Sequence, residues 1–160
     1  MEIIETGMPK TSEMSGLEAH LGYWLRFVSN HVSHAFALKV EARGVTVAEW
    51  VMLRELLERD AANPSALAER LGMTRGAISK IADRLLAKTL IARTESKEDG
   101  RYHTLSLTRK GRALVPALAT LADENDEEFF GHLSAQARTE LASVMKEIVR
   151  RRGIKNVPLD

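Results

Sequence analysis

Two short amphipathic segments joined by a tight turn, between Ser65 and Lys88, constrain the fold of this chain more than any other feature. Gly72 tolerates the positive φ of such a turn, while Ser65 and Thr74 are favourable N-caps for the two helices. The apolar positions recur at helical spacing on both sides of the turn: Leu67, Ala68, Leu71, Ile78, Ile81 and Leu85. The pattern predicts a helix-turn-helix.

The second helix of this motif is expected to leave a polar face outside its apolar one. Arg75 and Lys80 can donate to guanine O6 and N7 in a DNA major groove, and Ser79 can bond to a base or a phosphate. The alternative is a solvated helix whose cations only assist solubility. The candidate DNA-contacting residues of the motif are Ser65, Thr74, Arg75, Gly76, Ser79, Lys80 and Arg84.

A β-hairpin is predicted after the helix-turn-helix, because the apolar spacing changes there from helical to partly alternating. Its strands are Leu90–Thr94 and Tyr102–Leu107, with an Asp-Gly turn signal between them. Near the tip, Arg101 is placed to enter a DNA minor groove, Asp99 to hold Arg101, and Lys97 to contact phosphate. A hairpin in this position is typical of a wing, and it favours DNA binding over the solvated alternative.

Charge is unevenly distributed along the chain, although the formal net charge is only +1. Residues 65–112 contain eleven Lys and Arg against five Asp and Glu. Residues 113–136 contain five acids and no Lys or Arg. The distribution indicates one basic surface suited to phosphates.

Several functional classes are not supported by the sequence. With no cysteine, disulfides, thiolate zinc sites and thiol-based sensing are excluded. We find no glycine-rich phosphate loop, nucleophile elbow or metal-ligand cluster, so we expect no catalysis, no cofactor and no metal. The spacing of His31 and His34 is more typical of solvated or interface histidines. No apolar run approaches the ~18 residues of a membrane span, and residues 1–16 lack a signal-peptide core, which predicts a cytoplasmic protein without membrane contact.

Helical periodicity also extends over both ends of the chain. Leu17–Arg43 carries two adjacent apolar stripes, which suggests contacts with both its own domain and another subunit. Thr46 and Glu49 have the spacing of a capping box that opens a second helix. Thr108 and Ser134 are N-caps of the last two predicted helices.

Taken in order, these features resemble the MarR family of winged helix-turn-helix regulators. The segments that carry the resemblance are Leu21–Arg26, Thr46–Trp50, Leu67–Gly72, Leu90–Arg93, Asp99–Arg101 and Leu105–Gly111. The resemblance implies a mainly α fold with a small β-hairpin wing and a helical dimerisation region. It also implies a homodimer that binds a pseudo-palindromic operator in double-stranded DNA, most often as a repressor. The alternative is a winged helix that binds protein without specific DNA binding.

The resemblance implies a division of the chain into functional regions. They are a flexible arm at 1–16, a dimerisation region at 17–44 and 109–152, and a DNA-binding domain at 45–108. Two residues depart from the family pattern. Thr89 follows the recognition helix where glycine is usual, so a different helix cap is expected there. Gly100 replaces a basic residue of the wing, so fewer wing contacts are expected.

A small-molecule inducer is a further implication, since many MarR-type proteins bind aromatic acids or phenolic compounds between the two regions. Aromatic and cationic side chains share faces of the first two predicted helices. They are His20, Trp24, Phe27 and His31 on the first and Trp50 and Arg54 on the second. A carboxylate could pair there with Arg54 or a histidine. The alternative is that the aromatic residues are core and that Arg54 pairs with a nearby acid such as Glu58.

Overall fold

The structure is a computed structural model that describes residues 14–95 and 103–155. It is mainly α-helical with one two-stranded antiparallel sheet, which confirms the predicted fold class. After a short 3-10 helix at Leu17–Ala19, the elements are α1 Leu21–Glu41, α2 Val47–Glu58, α3 Pro64–Leu71, α4 Arg75–Ala87, β1 Ile91–Glu95, β2 His103–Leu107, α5 Arg109–Phe130 and α6 Ala135–Arg152. The predicted wing residues Lys97, Asp99 and Arg101 lie outside the described residues.

Most helix starts follow the side-chain caps predicted from the sequence. At α2, Thr46 Oγ1 accepts from the Glu49 amide at 3.1 Å, and a Glu49 oxygen accepts from the Thr46 amide at 3.2 Å. This is a complete capping box. At α4, α5 and α6, the side-chain oxygens of Thr74, Thr108 and Ser134 each accept from the amide three residues further on, without the second bond of a capping box. Local hydrogen bonding therefore determines where these helices begin.

Two helix starts differ from the prediction. Ser65 lies inside α3, and Asn63 is the cap, its Oδ1 accepting from the Ala66 amide at 2.8 Å. Pro64 explains the shift, because proline suits the first helical position, where an N–H has no partner. The first helix begins at Leu21 rather than Leu17, since His20 has an extended backbone that separates α1 from the 3-10 turn.

The wing strands pair in register from Ile91 opposite Leu107 to Glu95 opposite His103. The predicted hairpin is thus confirmed: β1 is displaced by one residue from its predicted range, and β2 ends at Leu107 as predicted. A third backbone segment joins the sheet. Ala62 and Leu105 exchange two backbone hydrogen bonds, at 3.0 and 2.8 Å. The sheet is therefore attached to the loop that precedes the helix-turn-helix.

The core is centred on α2, whose Met52, Leu53 and Leu56 are fully buried among residues of α3, α4, α5 and the sheet. The outer helices contribute little to it. Val40 is the only buried residue of α1, and α6 has none. Large apolar side chains of these two helices are instead exposed: Leu21, Trp24, Leu25, Phe27, Val28, Leu38, Leu141, Val144, Met145, Ile148 and Val149. None of the helices in residues 14–95 and 103–155 has the length and apolar content that a bilayer span needs.

Candidate nucleic-acid interface

The helix-turn-helix is formed by α3 and α4 and turns at Gly72. This glycine has φ 63°, and its conformation ends α3 as a left-handed cap. The next amide, Met73, donates to Ala68 O at 3.0 Å. Leu67 and Ala68 of α3 and Ile78 of α4 are buried against α2. The opposite side of α4 is consequently turned away from the core.

The polar face predicted for α4 is exposed in the structure. The sequence-predicted contacts Ser65, Thr74, Arg75, Gly76, Ser79, Lys80 and Arg84 are all classed as exposed. Thr74 Oγ1 accepts from the Ala77 amide at 3.1 Å, so its oxygen is used in capping while its hydroxyl can still donate to a phosphate. The first amides of α4 have no intrahelical acceptor and face the same end. This end of α4 thus presents donors and cations suited to DNA.

Arg84, at the other end of that face, has a structural partner. Its Nε lies 3.2 Å from Oε1 of Glu49, a carboxylate that is 0% exposed. Lys88 donates to the other oxygen of the same carboxylate at 2.6 Å. The capping-box spacing identified Glu49 from the sequence, but no local signal indicated that it is buried beneath α4. Of the predicted contacts, Arg84 is therefore distinguished from Arg75 and Lys80 by this ion pair.

A second carboxylate cluster joins α2 to α3. Glu55 Oε1 accepts from Arg59 Nε and Arg70 Nε, each at 2.9 Å. Burial acts to raise the pKa of Glu55, but hydrogen bonds from Arg70 and Arg59 and their charges outweigh it and hold the pKa below its ordinary value. The spacing of four residues is a signal that could have found the Arg59 pair, which the sequence analysis missed, whereas Arg70 is brought in only by the fold. The cluster helps to hold α3 in place against α2.

The wing begins beside the recognition helix. Arg93 of β1 lies 3.9 Å from Asp83 of α4, an exposed ion pair that adds little to stability. The described part of the hairpin ends at Glu95 and resumes at His103. Strand β1 thus runs beside the C-terminal half of α4.

The candidate ligand residues fall into two groups. On α1, Trp24, Phe27 and His31 form an exposed aromatic ladder, with the Phe27 and His31 rings 5.0 Å apart, and His20 precedes it. On α2, Trp50 packs edge-on to Phe36 at 6.4 Å, partly buried against the core. Among the described residues, no ring contact joins the two groups.

Two of the alternatives raised for these residues can be compared with the structure. Arg54 pairs with Glu58 at 3.0 Å, as one alternative expected. Trp24 and Phe27 are about half exposed in the single chain, so neither is a core residue of this chain. Trp24 Nε1 donates to Glu18 O at 2.8 Å, which holds the 3-10 turn against the start of α1.

The segment that contains this interface also matches a known protein family. The sequence profile of the MarR family matches residues 43–101, which run from the end of α1 through the helix-turn-helix into the hairpin. This part of the chain is similar to the MarR family.

Relatives and solved structures agree with this similarity. A transcriptional regulatory protein assigned to the hcr operon of Thauera aromatica is 27% identical over 150 residues, 90% of each chain. A MarR variant from E. coli, solved with operator DNA, aligns with a TM-score of 0.73 at 22% identity, over 81% of this chain and 93% of that one. BpsR of Bordetella bronchiseptica, solved in a study of how 6-hydroxynicotinic acid regulates its DNA binding, aligns at 0.74 with 21% identity, over 84% and 96%.

The chain is thus similar to DNA-binding transcriptional regulators of the MarR type. The helix-turn-helix and the sheet described above have the winged-helix fold of those proteins.

Proposed function

We propose that this protein is a MarR-type homodimer that binds a pseudo-palindromic operator and represses transcription. The observation that carries the proposal is the exposed, polar N-terminal half of α4, with Arg75, Ser79 and Lys80 on the side opposite buried Ile78 and Ile81. A protein-binding surface of this size would be expected to present aromatic and apolar side chains instead. Cations and hydroxyls at a helix N-terminus suit the major groove.

The homodimer is supported by the exposed apolar faces of α1 and α6. Leu21 is 87% exposed and Val144 is 59% exposed, which is unusual for large apolar side chains on regular helices that flank a packed core. A second copy of the chain would cover both faces in a symmetric interface. We assign this role to residues 17–44 and 109–152, leaving residues 45–108 as the DNA-binding domain.

On DNA, the two recognition helices would enter successive major grooves about 34 Å apart. Arg75 and Lys80 would contact base edges, and Ser65, Thr74 and Ser79 would bond to phosphates or bases. Arg101, with Lys97 and Asp99, belongs to the wing segment and would contact the adjacent minor groove. Occupation of such a site within a promoter blocks access of the polymerase.

The ligand response is proposed for the surface that the dimer would enclose beside α1. His20, Trp24, Phe27 and His31 offer an apolar wall with two imidazoles, and Arg54 on α2 offers a guanidinium for a carboxylate. A second subunit placed against α1 would turn this open face into an enclosed pocket. The relationship to BpsR supports an aromatic acid as the inducer.

Binding to DNA is tested with the duplex upstream of the protein's own gene and a scrambled duplex of equal length. We expect the upstream duplex to bind more tightly at physiological salt by a factor of about 10³ or more. Lys80→Ala should reduce that preference, whereas Lys155→Ala removes an equal charge at an exposed position beyond α6 and should preserve it. Equal binding to both duplexes, falling steeply with salt, would contradict an operator at this position; equal binding to every duplex in a random library would contradict the proposal.

The ligand site is tested by fluorescence, because the two tryptophans of the chain, Trp24 and Trp50, are both candidate ligand residues. Titration with 6-hydroxynicotinic acid should quench the emission, and Trp24→Phe and Trp50→Phe report which indole is affected. The same titration should release bound DNA. Unchanged emission together with unchanged DNA affinity would refute an aromatic acid of this kind as the inducer.

A further inference from the structure

The buried carboxylate of Glu49 lies where the end of α1, the start of α2 and the end of α4 meet. Its Oε2 accepts from the Thr46 amide at the start of α2 and from Lys88 Nζ at the C-cap of α4. The same Nζ donates to Gly44 O, 2.9 Å away, at the turn that ends α1. Arg84 Nε lies 3.2 Å from Oε1 without hydrogen-bond geometry. We call Glu49, Lys88 and Arg84 the Glu49 cluster.

The last turn of α4 is also bonded to the start of α5. Lys110 Nζ donates to Lys88 O at 3.1 Å, and Thr108 Oγ1 donates to Thr89 O at 2.7 Å. The Thr108 amide donates to Leu90 O at 3.1 Å. The C-terminal end of the recognition helix is thus tied by polar contacts to the ends of α1, α2 and α5.

Stability alone does not explain a carboxylate in this position. A buried ion pair costs so much desolvation that an apolar pair of similar volume is often equally stable or more so. What directional bonds provide beyond apolar packing is a defined geometry between the groups that they join. Here they join α4 to α1 and α5, the two helices that lead into the proposed dimer interface.

The length of α4 shows why the orientation of its C-terminal end matters. With 13 residues at 1.5 Å each, α4 is about 20 Å long. A rotation of about 10° about its bonded C-terminal end would move its N-terminal end by roughly 3 Å. That distance is about one base-pair step along DNA.

We propose that Glu49 and Lys88 are positioning residues that set the separation of the two recognition helices, and so the half-site spacing that the dimer selects. The inference rests on the proposed function, since it requires a dimer on a two-part operator. Neither side chain needs to touch DNA. Loss of either should allow α4 to adopt several orientations and should broaden the range of spacings accepted.

The test begins with wild-type protein and a library of random duplexes. Enrichment of a two-part site establishes the proposed function, and failure to enrich any site refutes that function and this inference together. The enriched site is then rebuilt with its spacer shortened or lengthened by one and two base pairs. We expect wild type to bind the original spacing at least tenfold more tightly than the altered ones.

The variants are Glu49→Gln, which keeps an acceptor for the capping box, and Lys88→Met, which keeps the aliphatic stem. Each should lower the spacing preference to about threefold or less. The preference is a ratio of affinities, so a general gain or loss of phosphate attraction cancels. Lys88→Arg should restore much of the preference. In Lys88→Met the Glu49 carboxylate keeps Arg84 as a cationic neighbour, and Lys88→Arg keeps both cations. If Glu49→Gln is unstable, the two Lys88 variants, shown to be folded by circular dichroism, are sufficient for the test.

The matched control is Glu55→Gln. It removes a carboxylate of the same helix that also binds two cations, but those cations lie on α2 and α3 rather than on α4. It should lower the unfolding midpoint and leave the spacing preference unchanged. The positioning role would be overturned if folded Lys88→Met kept the wild-type preference for the original spacing. It would also be overturned if Glu55→Gln lost that preference to the same extent as the Glu49 and Lys88 variants.

Discussion

Gly111 occupies the tightest glycine position between α5 and the wing, and its replacement tests the packing there directly. A Cβ added at Gly111 would lie 2.0 Å from Leu90 O and 3.4 Å from Leu107 Cδ2. Real Cβ atoms essentially never approach other atoms closer than 3.0 Å, so the backbone at Leu90 would have to move by about 1 Å. That carbonyl also accepts the bond from the Thr108 amide, which a shift would weaken.

The expected magnitude follows from two opposing terms. Overpacking of a buried site costs about 1–3 kcal/mol, and a backbone obstacle places this site at the upper end. Alanine regains up to about 1 kcal/mol of helix propensity over glycine. We therefore expect Gly111→Ala to lower the free energy of unfolding by about 2 kcal/mol, which corresponds to roughly 4–8 °C in Tm for a chain of this size.

Urea unfolding followed by circular dichroism, at one fixed protein concentration, measures the effect. Gly76→Ala is the matched control, because its nearest neighbour would be Thr74 Oγ1 at 4.0 Å. It should stabilise the protein by about 0.5–1 kcal/mol through propensity alone. If Gly111→Ala were as stable as wild type while Gly76→Ala showed the expected gain, the close packing of α5 on Leu90 would be refuted.

Three further predictions concern the positive φ of Thr89, the ion pairs of Glu55, and the exposed cations Arg75 and Lys80 of α4. Thr89 has φ 59°, a conformation that costs about 1–2 kcal/mol, so Thr89→Gly should raise Tm even after glycine's entropic cost of about 0.5–1 kcal/mol; a lower Tm would contradict this strain. Because folding lowers the pKa of Glu55, its charge stabilises the fold fully above the unfolded value of about 4.3, and this contribution disappears as the pH falls through the lower folded pKa. The stability difference between wild type and Glu55→Gln should therefore shrink below about pH 4, and a difference independent of pH would exclude the ionic cause. Arg75→Ala or Lys80→Ala should cost about 1–3 kcal/mol and relax the preference at one base position, whereas a uniform loss over all duplexes would indicate a phosphate contact.

The sequence was sufficient for features that depend on neighbouring residues. The turn at Gly72 and the caps at Thr46, Thr74, Thr108 and Ser134 were predicted because each depends on residues within one helical turn. The hairpin was predicted from a change of period. The cap of α3 was misplaced, because Asn63 and Ser65 are both good caps and the effect of the intervening proline was not included.

Features that depend on distant residues were not predictable. Glu49 was recognised as half of a capping box, but its burial follows from Lys88 and Arg84, which are more than thirty positions away in the sequence. The pairing of Ala62 with Leu105 likewise has no local pattern. Thr89 was recognised as unusual, and the structure shows that it takes the left-handed conformation itself rather than a different cap.

The bare apolar faces of α1 and α6 also bear on how the chain is made. In chain order α1 leaves the ribosome well before α6, since residues 42–134 lie between the two helices. At about 5–20 residues per second, the side chains of α1 remain in water for on the order of ten seconds before α6 exists. Until α6 has been made, nascent chains of this protein therefore expose the apolar side chains of α1, a feature that chaperones at the ribosomal exit tunnel can bind.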